Sequence, residues 1–370
     1  MGAYRKFMNR NNLNLSHHDT IIIGGGQAGL AMGYQLMIKN REFLILDENE
    51  KVGGRWDSRW DSLQLFTPGW AVKYPGHEFP KVAGTFPAKN DVVDFLASFS
   101  QKFRMPIRTN MRVTKVEQKT DYYEITAAGK KFTCHHFIVA TGNYAKPKIP
   151  RFATELSPEI VQMHSSEYKN PSRLPDGEIL VVGAGTSGLQ IALDIARAGK
   201  SVRVSGNPPP QIPPLMLKYF RRQMIWMMNN RMTINTKAGR KMRDAIKLNG
   251  QAAPLLNISL KEVTGAGAIH VARVASTSLG YPLLEDESVC RVAAVIWCTG
   301  FTRDFSWLHN MKEIIDSHQY PITERGVVPS RKGLYFLGMA FQYAITSTWI
   351  LGIGRDAEYI ANHIHTNGHS

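Results

Sequence analysis

Cysteine is scarce in this 370-residue sequence, which contains only Cys134, Cys290 and Cys298. No two of them are spaced as C-x-x-C, which argues against a zinc ribbon and against a thioredoxin-type dithiol. So few cysteines suit a reducing compartment, and we expect a cytoplasmic protein without a metal site.

Long apolar runs are lacking as well. No stretch reaches the roughly 18 consecutive apolar residues that indicate a transmembrane helix. The first residues, MGAYRKFMNRNNLNLSHHD, are polar and have no apolar centre, so they do not resemble a secretory signal. We expect residues 1–18 to form a flexible tail, followed by enough chain for two domains.

Acidic residues are few, since 30 Asp and Glu stand against 45 Lys and Arg and leave a formal charge of +15. Such an excess suits nucleic acid, an anionic membrane or anionic ligands. No nucleic-acid-binding motif accompanies it, so no nucleic-acid partner is expected. Basic residues are densest between Lys218 and Lys247, where the one acid is Asp244. A solvated basic face is the simplest interpretation of this segment.

The stretch from residue 208 to residue 232 is also rich in proline and methionine. Three interpretations stay open. In the first, the segment lines or covers a substrate pocket, because methionine packs adaptably. In the second, it belongs to the core. In the third, it contacts a membrane as a basic amphipathic patch. Peripheral membrane contact is the least favoured of the three, and its test is co-sedimentation with anionic vesicles at low salt.

A glycine-rich turn follows the first apolar stretch, in IIIGGGQAGL at residues 21–30. The isoleucines show no polar alternation, which indicates a strand buried on both faces, and helical apolar spacing follows the turn. Gly24, Gly26 and Gly29 fit G-x-G-x-x-G, in which the second glycine lets a pyrophosphate approach the backbone. Asp47 ends the next apolar strand, where a carboxylate can accept both ribose hydroxyls of an adenosine. The stretch therefore predicts a dinucleotide site at the start of a helix.

The stretch EILVVGAGTSGLQIALDIARAGKSVRVSG repeats this pattern, with Gly183, Gly185 and Gly188 at the same spacing. Aligned without gaps, it places Gly206 opposite Asp47, so the ribose-binding acid is missing from the second copy.

The end of this second unit carries Arg203, Ser205 and Asn207 beside that glycine. They leave room for a 2′-phosphate, which favours NADPH over NADH without excluding NADH. An ordinary exposed strand position is the alternative for Arg203. Two such loops imply two dinucleotides, a bound FAD at the first loop and the hydride donor at the second.

Two further buried strands end in Thr-Gly, in HHFIVATGNY at 135–144 and VAAVIWCTGF at 292–301. We interpret these two segments as the places where the chain passes from one domain to the other. We therefore predict an α/β fold with two Rossmann-like dinucleotide-binding domains, of the pyridine nucleotide-disulfide reductase type. The FAD-binding domain comprises 19–148 and 289–370, and the NADPH-binding domain, 149–288, is inserted into it.

Two other segments are candidates for the flavin site. In VGGRWDSRWDSLQLFTPGW at 52–70, the glycine pair permits close approach of a ligand, and Trp56, Trp60 and Trp70 either wall an isoalloxazine or belong to the core. In the C-terminal part, a strand at 334–337 precedes a helix that starts near Gly354. Its amino end can stabilise negative charge on a reduced flavin, or the helix only packs.

The chain resembles the class B flavin-dependent monooxygenases, which comprise flavin-containing, YUCCA-type, N-hydroxylating and Baeyer–Villiger enzymes. It is most similar to their short bacterial branch, often labelled as flavoproteins linked to potassium or cation transport. The stretches GGGQAGL, VGGRWDSRWDSLQLFTP, ATG, HSSEY, GAGTSGLQIA, VIWCTGF and GIGRDAEY carry the resemblance, from Thr20 to about Ile364. Of the family pattern F-x-G-x-x-x-H-x-x-x-[FYW], only His164 and Tyr168 match, while Pro158 and Ile160 replace the Phe and Gly.

This resemblance implies a cycle in which NADPH reduces FAD, O2 forms a C4a-(hydro)peroxyflavin, and one oxygen atom passes to a small organic substrate. The terminal Tyr of the pattern favours oxygenation at nitrogen or sulfur over Baeyer–Villiger oxidation. Thr67 and Tyr168 are the catalytic candidates, and a structural role is the alternative for His164. FAD is assigned Gly24, Gly26, Gly29, Asp47, Gly54, Trp56, Leu65 and Thr67. NADPH is assigned Gly183, Gly185, Ser187, Gly188, Arg203 and Ser205. The cofactor-binding set further includes Gln27, Ala28, Glu48, Arg55, Val113, Ala140, Thr141, Gly142, Thr186, Cys298, Thr299, Gly300 and Arg355.

Three other functions stay open: Baeyer–Villiger oxidation of a ketone, an NADPH-consuming flavin oxidase or reductase, and a non-catalytic nucleotide sensor that serves a membrane transporter. The expected partners are a small-molecule substrate and O2, and the chain is expected to be a monomer or a dimer.

Overall fold

A computed structural model describes residues 15–80, 86–247 and 254–367. The strands are β1 (Leu15–Ile23), β2 (Phe43–Leu46), β3 (Lys73–Tyr74), β4 (His77–Glu78), β5 (Ile107–Arg108), β6 (Val113–Gln118), β7 (Tyr123–Ala127), β8 (Lys130–Val139), β9 (Lys146–Pro147), β10 (Val161–His164), β11 (Ile179–Val182), β12 (Val202–Ser205), β13 (Ile269–Val271), β14 (Val274–Ser278), β15 (Tyr281–Leu284), β16 (Ala294–Trp297), β17 (Phe301–Thr302) and β18 (Leu334–Phe336). The helices are α1 (Gln27–Met37), α2 (Gly54–Asp57), α3 (Lys89–Lys102), α4 (Thr186–Arg197), α5 (Pro214–Tyr219), α6 (Arg221–Asn230), α7 (Lys237–Lys247), α8 (Leu260–Gly265) and α9 (Ile350–Asn367).

The larger sheet has seven strands in the order β5-β2-β1-β8-β7-β6, with β18 also paired to β8. The strands β2, β1, β8 and β18 are parallel, and β7 and β6 add an antiparallel extension. Ile21 and Ile22 are fully buried in β1, as the apolar run predicted. Because parallel strands end at one edge of a sheet, the loops after β1, β2, β8 and β18 meet there and form a crevice for a ligand.

The smaller sheet has five parallel strands in the order β10-β16-β11-β12-β13. Its central strand β11 is completely buried, and helix α4 follows it directly. Each sheet has a parallel part in which a glycine turn and a helix follow an inner strand, β1 or β11, and this confirms the prediction of an α/β fold with two Rossmann-like units.

The chain passes between the sheets at two places. The segment after β8 and the segment after β16 lie together, because β9 pairs antiparallel with β17. The strands of the smaller sheet lie between residues 161 and 297, whereas those of the larger sheet lie on both sides of that range. Insertion of one domain into the other accounts for this distribution of strands. The exact limits of the two domains stay a prediction.

Two boundaries differ from the predicted ones. Strand β1 begins at Leu15, inside the predicted tail of residues 1–18, because the backbone there pairs with β8 and His17 Nδ1 lies 3.0 Å from Thr133 Oγ1. The remainder of the predicted tail, 1–14, is outside the described residues. Helix α9 begins at Ile350 rather than near Gly354, since a 3-10 turn over Ile345–Thr348 leads into it.

The basic segment forms helices α5, α6 and α7. Met224 and Met228 pack with Phe341, Ile345 and Trp349 in a small core, which agrees with the interpretation of part of the segment as core. Other apolar side chains of α5 and α6 are exposed, namely Leu215, Met216, Tyr219, Phe220, Trp226 and Met227. Contact with a membrane stays a prediction. Among the described residues, no helix combines the length and the apolar character needed to span a bilayer.

Candidate functional site

A cavity of about 430 Å³ opens at the carboxyl edge of the larger sheet. Its walls come from the first glycine loop, from the loops after β2 and β8, from helix α2 with the residues that follow it, and from the start of α9. The predicted site residues on these walls are Gly24, Gly26, Gln27, Ala28, Asp47, Glu48, Gly54, Arg55, Trp56, Leu65, Thr67, Val113, Ala140, Thr141, Gly142, Thr186 and Ser187. The tertiary structure thus brings most of the predicted set to one cavity.

Two of the first three glycines serve the packing of the protein itself. Gly24 has a φ of +110°, and a Cβ there would lie 2.6 Å from the carbonyl oxygen of Ala140. A Cβ on Gly29 would lie 1.8 Å from the carbonyl oxygen of Gly24. Gly29 does not line the cavity, so its predicted role is confined to close packing between helix α1 and strand β1.

Gly26 is different, because no contact with the described residues requires a glycine there. Its φ of −82° and ψ of −168° are extended values that any residue adopts, and a Cβ there would meet no atom of the described protein within 4 Å. Helix α1 begins at the next residue and has no acidic side chain in its first turn. The free space and the unpaired N–H groups of the helix start fit a pyrophosphate.

Asp47 connects the loops on both sides of this space. It is only 5% exposed. Its Oδ2 accepts a hydrogen bond from the Gly25 N–H, and its Oδ1 accepts from both the backbone N–H and the Nδ2 of Asn49, each at 2.7 Å. A carboxylate has about four lone-pair sites, so one acceptor position is left for a ribose hydroxyl.

Two buried polar atoms on the cavity wall lack a partner in the described protein, Gln27 Oε1 and Trp60 Nε1. Gln27 is held by its other end, since its Nε2 donates to the Thr348 carbonyl at 2.5 Å. An unpaired buried donor or acceptor costs about 1–3 kcal/mol, which a polar ligand would offset. These orphaned groups, together with the open space at Gly26, fit a bound FAD.

The three tryptophans behave differently from one another. Trp56 and Trp60 line the cavity, and Trp60, at 3% exposure, is also part of the main hydrophobic core. Trp70 is 44% exposed, does not line the cavity, and lies under the Arg222 guanidinium at 5.1 Å. The cavity position of Trp56 and Trp60 is compatible with the predicted flavin wall, and their role there stays a prediction.

Thr67 is buried on the wall of the cavity, next to Phe66, whose ring packs against Trp349. The sequence did not single out Trp349, Thr348, Arg59 or Asn143, although all of them line the same cavity. A signal existed for Arg59, which lies within the RWDSRW stretch, but Asn143 and Trp349 are recognisable only once the fold brings them to the wall.

The second glycine loop reproduces the geometry of the first. A Cβ on Gly183 would lie 2.5 Å from the Cys298 carbonyl oxygen, and one on Gly188 would lie 1.7 Å from the Gly183 carbonyl oxygen. A Cβ on Gly185 would again meet nothing within 4 Å, and the backbone there is extended. Thr186 begins helix α4, which has no acid in its first turn. The second loop therefore has the same open space for a pyrophosphate.

The helix that follows the second loop borders the same cavity as the first loop. Thr186, Ser187 and Gln190 of helix α4 line this cavity together with the residues predicted to bind FAD. Gln190 also exchanges hydrogen bonds with the backbone of Gln64, at 3.4 Å and 3.0 Å.

Tyr168 is corrected from a catalytic residue to a structural one. Its side chain is 1% exposed, it does not line the cavity, and its hydroxyl donates to Asp194 Oδ2 at 2.7 Å. Burial raises the pKa of this phenol, so it keeps its proton. Tyr168 therefore fastens the segment after β10 to helix α4.

The structural interpretation of His164 is supported by its contacts. Nε2 donates to the Gly300 carbonyl at 2.9 Å, and Nδ1 accepts from the Ser166 N–H at 3.2 Å. Burial lowers the pKa of this histidine, which agrees with a neutral ring that makes both bonds.

Arg203 and Ser205 are not available to a nucleotide. Arg203 Nε lies 2.8 Å from Glu178, which precedes β11, so the guanidinium points to the amino edge of the sheet, away from the glycine loop. Ser205 is fully buried; its Oγ donates to the Ala272 carbonyl at 2.8 Å and accepts from the Val274 N–H at 3.0 Å. Both residues hold the sheet together, and their NADPH assignment is withdrawn.

The remaining predicted residues lie away from the cavity. Cys298, Thr299 and Gly300 lie in the segment after β16, where the chain passes from the smaller to the larger sheet. The Cys298 backbone packs against Gly183 of the second glycine loop, and the Thr299 hydroxyl donates to the Lys148 carbonyl. Arg355 donates to the Asn229 carbonyl at 2.8 Å, stacks on Tyr343 and does not line the cavity. Gly183, Gly185 and Gly188 shape the second loop behind Thr186.

The cysteines are unsuited to dithiol chemistry. Burial raises the pKa of Cys298 to about 12, and it also raises the pKa values of Cys134 and Cys290. Since the thiolate is the reactive form, none of the three is an activated nucleophile.

Comparison with known proteins gives a consistent result. The family model described as pyridine nucleotide-disulphide oxidoreductase matches residues 21–241. An uncharacterized CzcO-like oxidoreductase of Geobacillus kaustophilus is 36% identical over 347 residues, which are 94% of this chain and 98% of that protein. The probable indole-3-pyruvate monooxygenase YUCCA7 of Arabidopsis thaliana is 24% identical, over 93% of this chain and 86% of its own. A variant of the flavin monooxygenase of Stenotrophomonas maltophilia has the same fold, with a TM-score of 0.78 at 22% identity, over 95% of this chain and 99% of that one. These likenesses confirm the resemblance that the motifs indicated.

Proposed function

Because this chain belongs to the pyridine nucleotide-disulphide oxidoreductase family, in the branch of the class B flavin monooxygenases, we propose that it transfers one oxygen atom from O2 to nitrogen or sulfur of a small organic substrate. Its cofactors are FAD and a nicotinamide dinucleotide. FAD would supply the redox chemistry when bound, because a flavin can accept two electrons from NADPH and activate O2. In the balanced overall reaction, NADPH, one proton, O2 and the substrate would give NADP+, the oxygenated substrate and water.

One observation carries this proposal: the first glycine loop and the start of helix α4, which directly follows the second glycine loop, line the same cavity. Gly26 marks one pyrophosphate position, and Thr186 and Ser187 at the start of α4 mark the other. A hydride can pass between two dinucleotides only if their reactive ends meet, and a shared cavity provides that meeting place.

The protein supplies binding, orientation and the exclusion of water rather than acid–base chemistry. Asp47 and the α1 amino end would hold the adenosine diphosphate part of FAD. Trp56, Trp60 and Leu65 would cover the ring system, and Thr67 would contact its reactive part. A dry apolar wall matters because water shortens the life of an activated oxygen species.

The alternatives differ in testable ways. Baeyer–Villiger oxidation would use the same cofactors on a ketone, and an oxidase would release H2O2. A non-catalytic nucleotide sensor would not turn over NADPH. Disulfide reduction, which the family name suggests, lacks an activated thiol among the three cysteines.

Rapid-mixing absorbance tests the proposal. We expect the holoenzyme, reduced by NADPH without oxygen and then mixed with oxygenated buffer, to show a transient spectrum distinct from oxidised and reduced flavin. Turnover under oxygen-18 gas should label an amine or sulfide product. Direct return to oxidised flavin with stoichiometric H2O2, and no label in any amine, sulfide or ketone, would reject a monooxygenase in favour of an oxidase.

We further propose that Arg273, and not Arg203, recognises the 2′-phosphate of NADPH. Arg273 is exposed two residues after β13, whose register pairs Val271 with Ser205, so it lies beside the end of β12 where Gly206 replaces an acid. No described carboxylate forms an ion pair with it, in contrast to Arg203.

Arg273→Ala is expected to lower the NADPH/NADH ratio of kcat/KM about tenfold, because it removes a charge-assisted contact to phosphate. Steady-state kinetics with both dinucleotides measures the ratio. Arg203→Ala is the matched control and should leave the ratio unchanged. A shift in the Arg203 variant alone would restore the original assignment.

The domain limits complete the proposal. Residues 19–148 and 289–370 would bind FAD, and the inserted residues 149–288 would bind NADPH. The distribution of strands between the two sheets supports these limits.

A further inference from the structure

A second cavity, of about 410 Å³, shares no lining residue with the flavin cavity. It lies between helix α7, the chain around Tyr320–Arg325, and the segment after β18 that includes Met339 and Phe341. Its volume is in the range of sites that hold small organic molecules, about 300–1,000 Å³.

Cations dominate the polar part of its wall. Arg243, Lys247 and Arg325 line the cavity, whereas Glu324 is the one described carboxylate residue that does. Two other carboxylates near the cavity are already engaged with its arginines. Asp244 pairs with Arg243 at 2.9 Å, and Asp356 lies 3.8 Å from the Arg325 guanidinium.

Lys247 is the cation of this wall whose positive charge is least balanced by a nearby carboxylate. Among the described residues no carboxylate forms an ion pair with its ammonium group, which instead lies 4.9 Å from the centre of the Tyr320 ring. The Arg303 guanidinium lies over the same ring at 3.6 Å. Burial, with Arg243 and Arg303 nearby, lowers the pKa of Lys247 to about 8. Like charges gathered around a partly dehydrated cavity favour the entry of an anion.

The wall also has apolar and aromatic side chains, namely Ile234, Met339, Phe341 and Tyr359, together with the polar residues Thr323 and Gln342. A bare inorganic ion would leave the apolar part of this wall without a partner. We propose that the cavity binds a small organic anion, a carboxylate joined to an aromatic or apolar body, with the carboxylate at Lys247 and Arg243.

The site is connected to the flavin cavity by a short chain of contacts. Arg303 Nε donates to Asn143 Oδ1 at 3.2 Å, and Asn143 Nδ2 donates to the Gly338 carbonyl at 2.9 Å. Asn143 and Gly338 line the flavin cavity, while Met339, the next residue, lines the second one. An occupant would therefore contact the reverse side of a wall of the flavin cavity.

Isothermal titration of the FAD-loaded protein with 3-phenylpropionate is the test, and 3-phenylpropionamide is the neutral comparison. We expect one molecule of the carboxylate to bind per chain and the amide not to bind. Lys247→Gln should weaken binding about tenfold, because it removes one charge-assisted contact. Lys247→Arg should retain binding, which shows that the charge matters and that the site folds in these variants.

Lys241→Gln is the matched control, because Lys241 is an exposed lysine on the same helix. It should leave the affinity unchanged. If Lys241→Gln and Lys247→Gln weakened the binding of 3-phenylpropionate equally, general surface charge would account for the effect. That result would overturn the proposal. Failure of 3-phenylpropionate to bind, or unchanged binding in Lys247→Gln, would also overturn it. Monooxygenase activity is not needed for this readout, so the proposed function can fail independently.

The affinity should also fall as the pH rises through about 8, because Lys247 then loses the proton that attracts the carboxylate. The charged and titratable groups that face Lys247 are Arg243 and Asp244 on its own helix, Arg303 after β17, and Asp316 and Tyr320 in the following loop. Lys247→Arg should abolish this fall, because an arginine stays protonated. A pH dependence that persists in Lys247→Arg would contradict the assigned role.

Discussion

Gly185→Val is expected to keep its fold and its FAD but to lose about 100-fold in kcat/KM for NADPH. A Cβ at this position meets no protein atom within 4 Å, and the backbone is extended, so a valine is tolerated by the protein itself. The same side chain would fill the space where a pyrophosphate approaches helix α4, and loss of that contact by about 100-fold corresponds to roughly 2.7 kcal/mol.

Anaerobic stopped-flow reduction of the variant measures this effect, and the flavin content and thermal unfolding temperature report on the fold. Gly265→Val is a matched control, because Gly265 also has open space around it but ends helix α8 away from both cavities. Normal reduction of the Gly185 variant by NADPH would show that the second loop holds no pyrophosphate.

Gly188→Ala should behave differently, and the contrast strengthens the test. Its Cβ would lie 1.7 Å from the Gly183 carbonyl oxygen, so the loop itself must move. We expect lower stability as well as lost reduction by NADPH, because overpacking of this kind costs about 1–3 kcal/mol or more.

Asp47→Ala is expected to purify with little or no FAD, with an affinity weakened about 100-fold. The substitution removes the acceptor proposed for the ribose and also breaks the hydrogen bonds that join the Gly25 and Asn49 loops. The ratio of flavin to protein absorbance after gel filtration, followed by titration of the apoprotein with FAD, measures the loss.

Asp57→Ala controls for the change in net charge, because Asp57 is a surface residue of α2 that pairs with Lys51. It should retain normal FAD. Full flavin content in the Asp47 variant would show that the Asp47 carboxylate does not bind FAD and only joins the two loops. The unfolding temperature of the apoprotein separates the two contributions, because only the loop hydrogen bonds affect it in the absence of FAD.

The two glycine loops were recognisable from the sequence, because local backbone geometry dictates their residues. The spacing of Gly24, Gly26 and Gly29 is set by a turn whose demands are local, so the sequence pattern was sufficient to find it. Its second copy at Gly183, Gly185 and Gly188 was found in the same way, and the two loops have nearly identical contacts in the structure. The position of Asp47 followed from the length of the unit.

Two side chains chosen from their position in a motif or a family pattern make other contacts in the structure. Arg203 was selected because it lies near the end of β12, but Glu178 draws its guanidinium to the opposite edge of the sheet. Tyr168 matches a family pattern, yet its hydroxyl is committed to Asp194. In both cases the deciding partner is far away in the sequence and has no motif of its own.

By itself, the sequence determined the fold class, the two dinucleotide loops and the family, because these depend on short-range geometry and apolar periodicity. Only the tertiary structure decided which side chains share a cavity. Trp349 reaches the wall of the cavity proposed for FAD from the C-terminal part of the chain, and Lys247, Tyr320 and Phe341 meet around the second cavity from three separate segments. Contacts of this kind arise from the packing of distant elements, and no local pattern of residues encodes them.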